Sequence, residues 1–249
     1  MSIIPKPDLF AARRVLCVQP HYDDNDIGAG GTTAALVDAG AQVFYLTVTD
    51  DLVGVTDETL TAPEAAVLLA RDQAEAGACI GVKGQYRLGY PDAGEYDYFD
   101  LRRDIIRHIR TLRPDFILTV DPYLPYEAHH DHAMTGKAVS EAAILYGMMR
   151  LKTDPEVDAA YERHDIEGIA YYHTHAPNTY VDITNTYARK HAAVSAYHAQ
   201  FTDESMARLQ FYLDLKEQEY GELQCCRYAE ALKILHPLQL HCSVDAWKA

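Results

Sequence analysis

The sequence predicts a doubly wound α/β fold, in which a mostly parallel sheet of the Rossmann type has helices on both faces. Short apolar runs alternate along the chain with longer segments whose apolar residues recur at helical spacing. The runs are mainly apolar and do not alternate with polar residues, which is typical of parallel strands that are buried on both faces. Helical crossovers between parallel strands are right-handed, and a strand order that begins 3-2-1-4 makes the first and fourth strands neighbours.

The first predicted strand covers residues 14–19 and stops at Pro20, and the glycine-punctuated segment 28–40 suits a helix that packs closely on the sheet. We predict further strands at residues 42–49, 85–88, 115–120, 168–172 and 179–181. We predict further helices at residues 62–80, 98–112, 132–149, 184–199 and 203–224. The polar segment 152–166 is expected to be a surface loop. We expect one domain over residues 1–249, in which residues 203–249 form a helix and a tail.

The composition disfavours several classes of function. There are 22 Lys and Arg residues against 37 Asp and Glu residues, and the net charge of -15 repels nucleic acid and anionic lipid. The N-terminal segment lacks the basic and apolar regions of a secretion signal, and no apolar run approaches the length of about 18 residues that spans a membrane. The five cysteines are scattered without a Cys-x-x-Cys pair, which predicts reduced thiols. We therefore expect a cytoplasmic protein with no nucleic-acid or membrane partner.

Histidine and aspartate residues cluster in two loops of the predicted fold. The loop after the first strand contains His21-Tyr-Asp-Asp-Asn-Asp26, and the loop after the fourth strand ends in His129-His-Asp-His132. In an open parallel sheet, ligands bind beyond the carboxyl ends of the strands where the strand order reverses. Because the order 3-2-1-4 brings these two loops together, the sequence predicts a metal site between them.

The residue types in these loops match a catalytic zinc site, which uses three protein ligands and leaves a fourth position for water. One tight loop presents His21 and Asp24, and His132 completes the set from the opposite loop. Asp23 then stays free to accept a proton from the water that the metal acidifies. His129 is placed to stabilise the negative charge that develops on a substrate carbonyl oxygen.

Each cluster has a simpler interpretation when it is taken alone. Acidic loops are commonly turns or helix caps, and His-x-x-His pairs are frequent in proteins without a metal site. The glycine-rich segment 28–31 has an alternative as a dinucleotide fingerprint, but the full G-x-G-x-x-G pattern is absent and the adjacent carboxylates would repel a pyrophosphate. The coincidence of both clusters at neighbouring strand ends favours the metal site.

The residues that carry this chemistry also resemble a known family. His21-Tyr-Asp-Asp24 and the glycine-rich segment 27–32 resemble the opening motif of the PIG-L or LmbE-like N-acetylglucosamine deacetylases, which usually reads His-Pro-Asp-Asp. The resemblance continues through residues 46–50, 71–81, 90–92, 121–132, 180–184 and 190–203. The segment 121–132 is most similar to the branch that deacetylates diacetylchitobiose and N-acetylglucosamine.

The resemblance implies a Zn²⁺ cofactor and the same metal and acid/base residues, and it adds three further roles. It implies that Arg71 and Asp92 bind sugar hydroxyls, and that Asp131 orients a histidine from behind the metal. The alternatives are a surface arginine, an aspartate in a turn and a helix cap. The chain departs from the family pattern at three positions, which affects loop geometry and substrate preference more than the reaction. These departures are Tyr22 and His130 in place of Pro, and Asn25 in place of Glu.

The C-terminal segment 236–247 is unusually apolar and aromatic for a free tail. The resemblance to the diacetylchitobiose branch implies that His241 lines the sugar pocket of a neighbouring subunit, in a closed homo-oligomer such as a trimer or hexamer. The alternative is that this segment packs on its own chain.

The sequence therefore predicts a zinc-dependent hydrolase that removes the acetyl group from a small amino sugar, N-acetylglucosamine or diacetylchitobiose, and releases acetate. A metal-dependent amidase that acts on a conjugated amino sugar or another N-acyl compound would use the same residues. A non-catalytic sugar-binding homologue is a further alternative, but a pure binding site gains nothing from a free carboxylate such as Asp23 beside the metal.

Overall fold

A seven-stranded sheet organises the computed structural model, which describes residues 4–248. The strands are β1 Arg14–Gln19, β2 Gln42–Thr49, β3 Gly84–Tyr90, β4 Phe116–Val120, β5 Gly168–Tyr172, β6 Thr179–Asp182 and β7 Ala229–Leu235. The α-helices are α1 Asp24–Asp38, α2 Ala62–Ile80, α3 Tyr98–Leu112, α4 His130–Leu145, α5 Pro155–Ala160, α6 Tyr187–Ser195 and α7 Asp203–Gln224. Short 3₁₀ turns lie at Leu9–Ala11, Pro237–Leu240 and Ala246–Lys248.

The strand order is β3-β2-β1-β4-β5-β7-β6, which confirms the predicted order 3-2-1-4 and the doubly wound class. Strands β1 to β5 pair in parallel, whereas β7 runs antiparallel to both β5 and β6. From β1 the chain builds outward to β2 and β3, and it then returns to the other side of β1 with β4. The reversal of strand order therefore lies between β1 and β4, and ligands of such sheets bind at the carboxyl ends of these two strands.

The sheet has a hydrophobic core on each face. Leu16 and Val18 of β1 pack with α3 and α4, whereas Val15 and Cys17 pack with α1 on the opposite face. This alternation is the two-residue period of a strand, and because both faces are covered every position of β1 after Arg14 is buried. A third apolar cluster joins α2 to α6 beside α1.

Helix α1 begins directly at Asp24 and packs tightly on the sheet. A Cβ atom at Gly28 would lie 2.3 Å from the ring of Tyr172 on β5, so this helix can approach the sheet only with glycine there. The helix is kinked at Ala29, whose φ of -150° is not helical. The first turn of α1, which contains Asp24, is thereby held against the end of the sheet.

The structure corrects several predicted elements. We predicted only a helix and a tail after residue 203, but Ala229–Leu235 form the strand β7, which pairs with β5 and β6. Its sequence, Ala-Glu-Ala-Leu-Lys-Ile-Leu, lacks the apolar run of the other strands because two charged residues are buried within it. Helix α4 begins at His130 and ends at Leu145 rather than covering 132–149, and the predicted loop 152–166 contains the short helix α5.

The cysteines agree with the prediction, since all five are free thiols. Among residues 4–248, no helix has both the length and the apolar character that a membrane crossing requires.

Candidate metal centre

The three predicted ligands meet at the carboxyl ends of β1 and β4. The Nδ1 atom of His21 lies 3.2 Å from Oδ2 of Asp24, and Nε2 of His132 lies 3.3 Å from Oδ1 of the same carboxylate. Ligands that bind zinc at about 2.0 to 2.2 Å in a tetrahedron lie about 3.3 Å from one another. The two nitrogen atoms and the carboxylate, which all lie within 4.8 Å of one another, therefore have the donor chemistry of a three-ligand metal site that zinc would fit.

The loop after β1 is shaped by short hydrogen bonds. The buried side chain of Gln19 donates to the carbonyl oxygen of Tyr22 at 3.0 Å and accepts from the backbone nitrogen of Asn25 at 2.9 Å. The Asp24 carboxylate accepts from the backbone nitrogen of His21 at 2.8 Å. These bonds close the loop into one tight turn, so that residues three positions apart face the same point.

Asp23 and Asp24 experience opposite electrostatic effects. Burial alone would raise the pKa of Asp24, but the adjacent imidazoles of His132 and His21 outweigh it and hold this pKa well below its usual range. Burial and the negative charge of Asp24 raise the pKa of Asp23 to about 7. Asp23 lines the same cleft as the three ligands without belonging to the ligand set. The site therefore contains one carboxylate, Asp24, that stays ionised between two imidazoles, and a second, Asp23, that is suited to proton transfer near neutral pH.

The other nitrogen of His21 faces two carboxylates. Its Nε2 atom lies 3.3 Å from Oδ1 of Asp92 and 3.5 Å from Oδ2 of Asp131. Asp131 is fully buried and is itself held by the hydroxyl of Tyr96 at 2.7 Å and the backbone nitrogen of Ala93 at 2.9 Å. Burial alone would raise the pKa of Asp131, but these hydrogen bonds and His21 lower it to about 2. Asp131 thus lies on the outer side of the His21 ring, and its role in orienting a histidine stays a prediction.

A cleft of about 340 Å³ opens over this centre. His129 stands at the cleft with 43% of its side chain exposed, and its Nδ1 atom lies 4.0 Å from Oδ2 of Asp131. Asp92 also lines the cleft, although one of its oxygens accepts from the backbone nitrogen of Val53. The remaining walls come from Asp51, Val53, Gly54, Gln200 and Phe201.

Two residues for which the resemblance implied sugar contacts lie outside this cleft. The Arg71 side chain is 59% exposed and forms an ion pair with the neighbouring Asp72 at 3.0 Å, so the structure does not bring it to the site. His241 lies in the exposed tail, with its Nε2 atom 3.4 Å from the sulfur of Cys242. Its predicted contact concerns a neighbouring subunit and stays a prediction.

The three departures from the family pattern occupy different surroundings. Tyr22 is buried, and the guanidinium of Arg87 lies over its ring at 5.0 Å. The Asn25 side chain is buried, and neither its oxygen nor its nitrogen has a hydrogen-bond partner among residues 4–248. His130 is exposed at the start of α4.

Asp51 is a cleft residue that the sequence analysis missed. It lies just beyond β2 with a left-handed φ of 58°, and its Oδ2 atom accepts from the backbone nitrogen of Tyr22 at 3.0 Å. Burial and the charge of Asp23 raise the pKa of its carboxyl group. The sequence could have indicated Asp51, because it follows β2, which is adjacent to β1, and the carboxyl ends of both strands lie at the same edge of the sheet.

Two other residues at the centre were also missed. The Oε2 atom of Glu127 lies 3.4 Å from Nδ1 of His132, and Gln200 lines the same cleft as Asp23, where its side chain acts to lower the pKa of that carboxyl group. Glu127 stands near the predicted histidines, but no spacing rule indicates its contact with His132. Gln200 follows a helix rather than a strand, so nothing in the strand pattern could have placed it in the cleft.

The fold and the site together define a hydrolase-like centre on a doubly wound sheet, with a candidate metal set and a free carboxylate. A model of the PIG-L family, described as GlcNAc-PI de-N-acetylase, matches residues 16–143. The chain is 34% identical to a diacetylchitobiose deacetylase of Thermococcus kodakarensis over 230 residues, which cover 92% of this chain and 85% of that protein. The chain therefore belongs to the PIG-L family, as its motifs predicted, and it is an N-deacetylase, a hydrolase of N-acetyl amide bonds.

Solved structures agree with this assignment. The N,N'-diacetylchitobiose deacetylase of Pyrococcus horikoshii is 34% identical and superposes with a TM-score of 0.87, covering 94% of this chain and 87% of that one. A conserved protein of Thermus thermophilus is 26% identical with a TM-score of 0.74, covering 88% of this chain and 92% of that one. The similarity thus extends over nearly the whole sheet and its helices.

Proposed function

We propose that the protein is a zinc-dependent deacetylase of N-acetylglucosamine-type sugars, with N-acetylglucosamine or diacetylchitobiose as its substrate and acetate as one product. The observation that carries the proposal is the convergence of His21, Asp24 and His132 beside a free carboxylate, Asp23, in one cleft. The names of the two diacetylchitobiose deacetylases to which the chain is similar support the substrate class. We further propose that the protein acts in the cytoplasm.

The proposed ligands have the right chemistry for the ion. Two neutral imidazole nitrogens and one carboxylate are a common protein set for catalytic zinc. When bound, the ion supplies an acidified water molecule and polarises a carbonyl group. For these three residues to act as ligands, the nitrogen of each imidazole that faces Asp24 must be unprotonated, so that its lone pair can bind the ion.

The residues around the three proposed ligands have separate roles in hydrolysis. Asp23 takes the proton of the attacking water, since its raised pKa of about 7 makes it a stronger base than an exposed aspartate. His129 hydrogen-bonds the substrate oxygen as it becomes negative. Asp23 then returns this proton to the departing nitrogen, the C–N bond breaks, and the sugar leaves as the free amine while the acetyl group leaves as acetate.

Sugar binding is assigned to the cleft wall. Asp92 can accept a hydrogen bond from a sugar hydroxyl, because a carboxylate has more lone pairs than its contacts with His21 and Val53 use. The proposal keeps His241 as a contribution from a neighbouring subunit of a homo-oligomer. Arg71 takes part only if substrate binding or assembly moves it from Asp72.

The proposal is tested by measuring acetate and free amine from a set of substrates, each with zinc-loaded and chelated protein. The set contains N-acetylglucosamine, diacetylchitobiose and an inositol glycoside of N-acetylglucosamine. We expect equal amounts of acetate and amine from the first two substrates, and loss of both products after chelation. Acetate from the conjugated sugar alone would favour the amidase alternative, and no acetate from any substrate would overturn the proposal.

A further inference from the structure

We propose that Glu127 is a positioning residue, which fixes His132 as a metal ligand and holds the backbone of His129 at the same time. The inference rests on the proposed function for the roles of these two histidines. One oxygen of the Glu127 carboxylate, Oε2, lies 3.4 Å from Nδ1 of His132. The other, Oε1, accepts the backbone N–H of His129 at 2.7 Å.

The argument begins with the imidazole of His132. Its Nε2 atom faces Asp24 at 3.3 Å and must be unprotonated to bind an ion. The proton of the neutral ring is then on Nδ1, which has no hydrogen-bond partner within residues 4–248. The carboxylate of Glu127 stands 3.4 Å from this nitrogen, within ion-pair distance, and we assign it as the acceptor of the Nδ1 proton.

The loop between β4 and α4 is bent so that it presents Glu127 to the centre. Tyr126 has a left-handed φ of 68°, a conformation that is unfavourable for a residue with a side chain and that concentrates at functional sites. The backbone nitrogen of Glu127 donates to the carbonyl oxygen of Leu124 at 3.2 Å, which closes the turn. The Glu127 side chain is only 19% exposed, which limits the competition from water.

Both proposed histidine ligands then have a carboxylate behind the ring. His21 has Asp131 and Asp92 near its outer nitrogen, and His132 has Glu127. Such a carboxylate selects the tautomer, fixes the ring plane and makes the ligating nitrogen more basic. Because the same carboxylate holds the His129 backbone, the position of the oxyanion-stabilising imidazole is tied to that of the metal ligand.

The test measures zinc affinity by competition with a chelator for the wild type, Glu127→Gln and Glu127→Ala. We expect Glu127→Ala to bind Zn²⁺ about 10- to 100-fold more weakly, the usual effect of removing such a partner. Glu127→Gln keeps an acceptor oxygen and should recover part of the loss. The control is Glu95→Ala, which removes an exposed carboxylate from the neighbouring β3–α3 loop and should leave the affinity unchanged.

A second measurement uses zinc-loaded protein labelled with ¹⁵N in its histidines. We expect the Nδ1 proton of His132 to exchange slowly with water in the wild type, because Glu127 accepts a hydrogen bond from it, and to exchange faster in Glu127→Ala. Equal zinc affinity in wild type and Glu127→Ala, or equal exchange of this proton in the two zinc-loaded proteins, would overturn the inference. If Glu127→Ala does not fold, Glu127→Gln provides the same comparison. Neither readout requires deacetylation, so a wild type that binds zinc through this pair but releases no acetate would contradict only the proposed function.

Discussion

Asp23 and Asp24 are adjacent in the sequence, yet their surroundings give them different chemistry. Asp24 lies between two imidazoles and is held as a carboxylate, because their attraction outweighs the effect of burial on its pKa. Asp23 is equally buried, but burial and the charge of Asp24 raise its pKa instead. Two neighbouring carboxyl groups with separated pKa values are the usual basis for a division between ligand and base.

We predict that Asp23→Asn retains zinc but lowers kcat by roughly 10² to 10⁴-fold, because only the proton acceptor is removed. The check combines elemental analysis with the rate of acetate release. His132→Ala is the matched comparison, and it should lose the metal together with activity. If Asp23→Asn lost its zinc, the roles of Asp23 and Asp24 would be exchanged or wrong.

His173 provides a prediction about pH. Burial lowers its pKa to about 4 against an ordinary value of 6.5, so the folded state binds a proton less readily than the unfolded state. Its contribution to stability is full above pH 6.5 and is lost as the pH falls toward 4. We compare the free energy of unfolding of the wild type with that of His173→Asn. We predict that the difference between them decreases by about 1.4 kcal/mol for each pH unit as the pH falls from 6.5 to 4.

Urea denaturation at several pH values checks this prediction. Asparagine is the chosen replacement because His173 has a left-handed φ of 52°, which asparagine tolerates better than most residues. Above pH 6.5 the difference between the two proteins should be constant, which serves as the internal control. A difference that stays constant down to pH 4 would show that His173 does not titrate differently in the two states.

At the scale of elements, a buried ion cluster joins four parts of the fold. Lys190 on α6 lies 2.7 Å from Glu217 on α7 and 2.7 Å from Glu230 on β7. Glu230 also accepts the backbone N–H groups of Gly31 and Thr32, which follow the kink in α1. The cluster thereby fixes the helix whose first turn carries Asp24.

We predict that Lys190→Met destabilises the protein by about 3–5 kcal/mol, because it leaves the buried Glu230 without its cation and Glu217 with only its contact to His191. Lys216→Met is the matched control, since Lys216 pairs with the largely exposed Glu219 on the surface of α7 and such pairs contribute about 0–1 kcal/mol. Chemical denaturation of the two variants measures both values. Similar losses of stability would contradict the special role assigned to the buried cluster.

The elements also show what the sequence can and cannot predict. Strands β1, β2 and β4 are mainly apolar runs with no charged residue in their interior, and the positions of their ends were sufficient to bring His21, Asp24 and His132 together. Strand β7 was missed because Glu230 and Lys233 break its apolar pattern, although both are buried. The cluster that stabilises Glu230 involves α1, α6 and α7, which are remote in sequence and become neighbours only in the folded chain.

The same limit applies to the site. Residues at strand ends follow from the topology, and Asp51 could have been found in this way. Gln200 reaches Asp23 through a loop that is tied to α2 by a hydrogen bond from Ala199 to Asp72 at 2.7 Å. Such a placement depends on helix packing, which local sequence patterns do not specify.

At the scale of the whole molecule, the C-terminal segment leaves apolar side chains on the surface. Leu238, Val244 and Trp247 are 68%, 85% and 70% exposed, although the carbonyl oxygen of Trp247 accepts from Lys233. Exposed apolar side chains of this kind are commonly covered in a symmetric assembly. We therefore retain the prediction of a closed homo-oligomer, a trimer or a hexamer.

Light scattering of the full chain and of a variant that lacks residues 236–249 tests this prediction. We expect the full chain to form the oligomer at micromolar concentration, and the shortened chain to dissociate and lose activity on sugars. A monomeric full chain, together with full activity of the shortened one, would contradict both the assembly and the role of His241. The metal centre would be unaffected by that result.

The measurement that tests the central claim most directly is a zinc titration of the metal-free protein with acetate release as the readout. We predict no acetate from N-acetylglucosamine or diacetylchitobiose without the ion, and a rate that rises in proportion to added zinc until about one ion is bound per chain. His132→Ala should show no such rise at the same zinc concentrations. Acetate release that is equal with and without zinc, or a fully loaded wild type that releases none, would contradict the account.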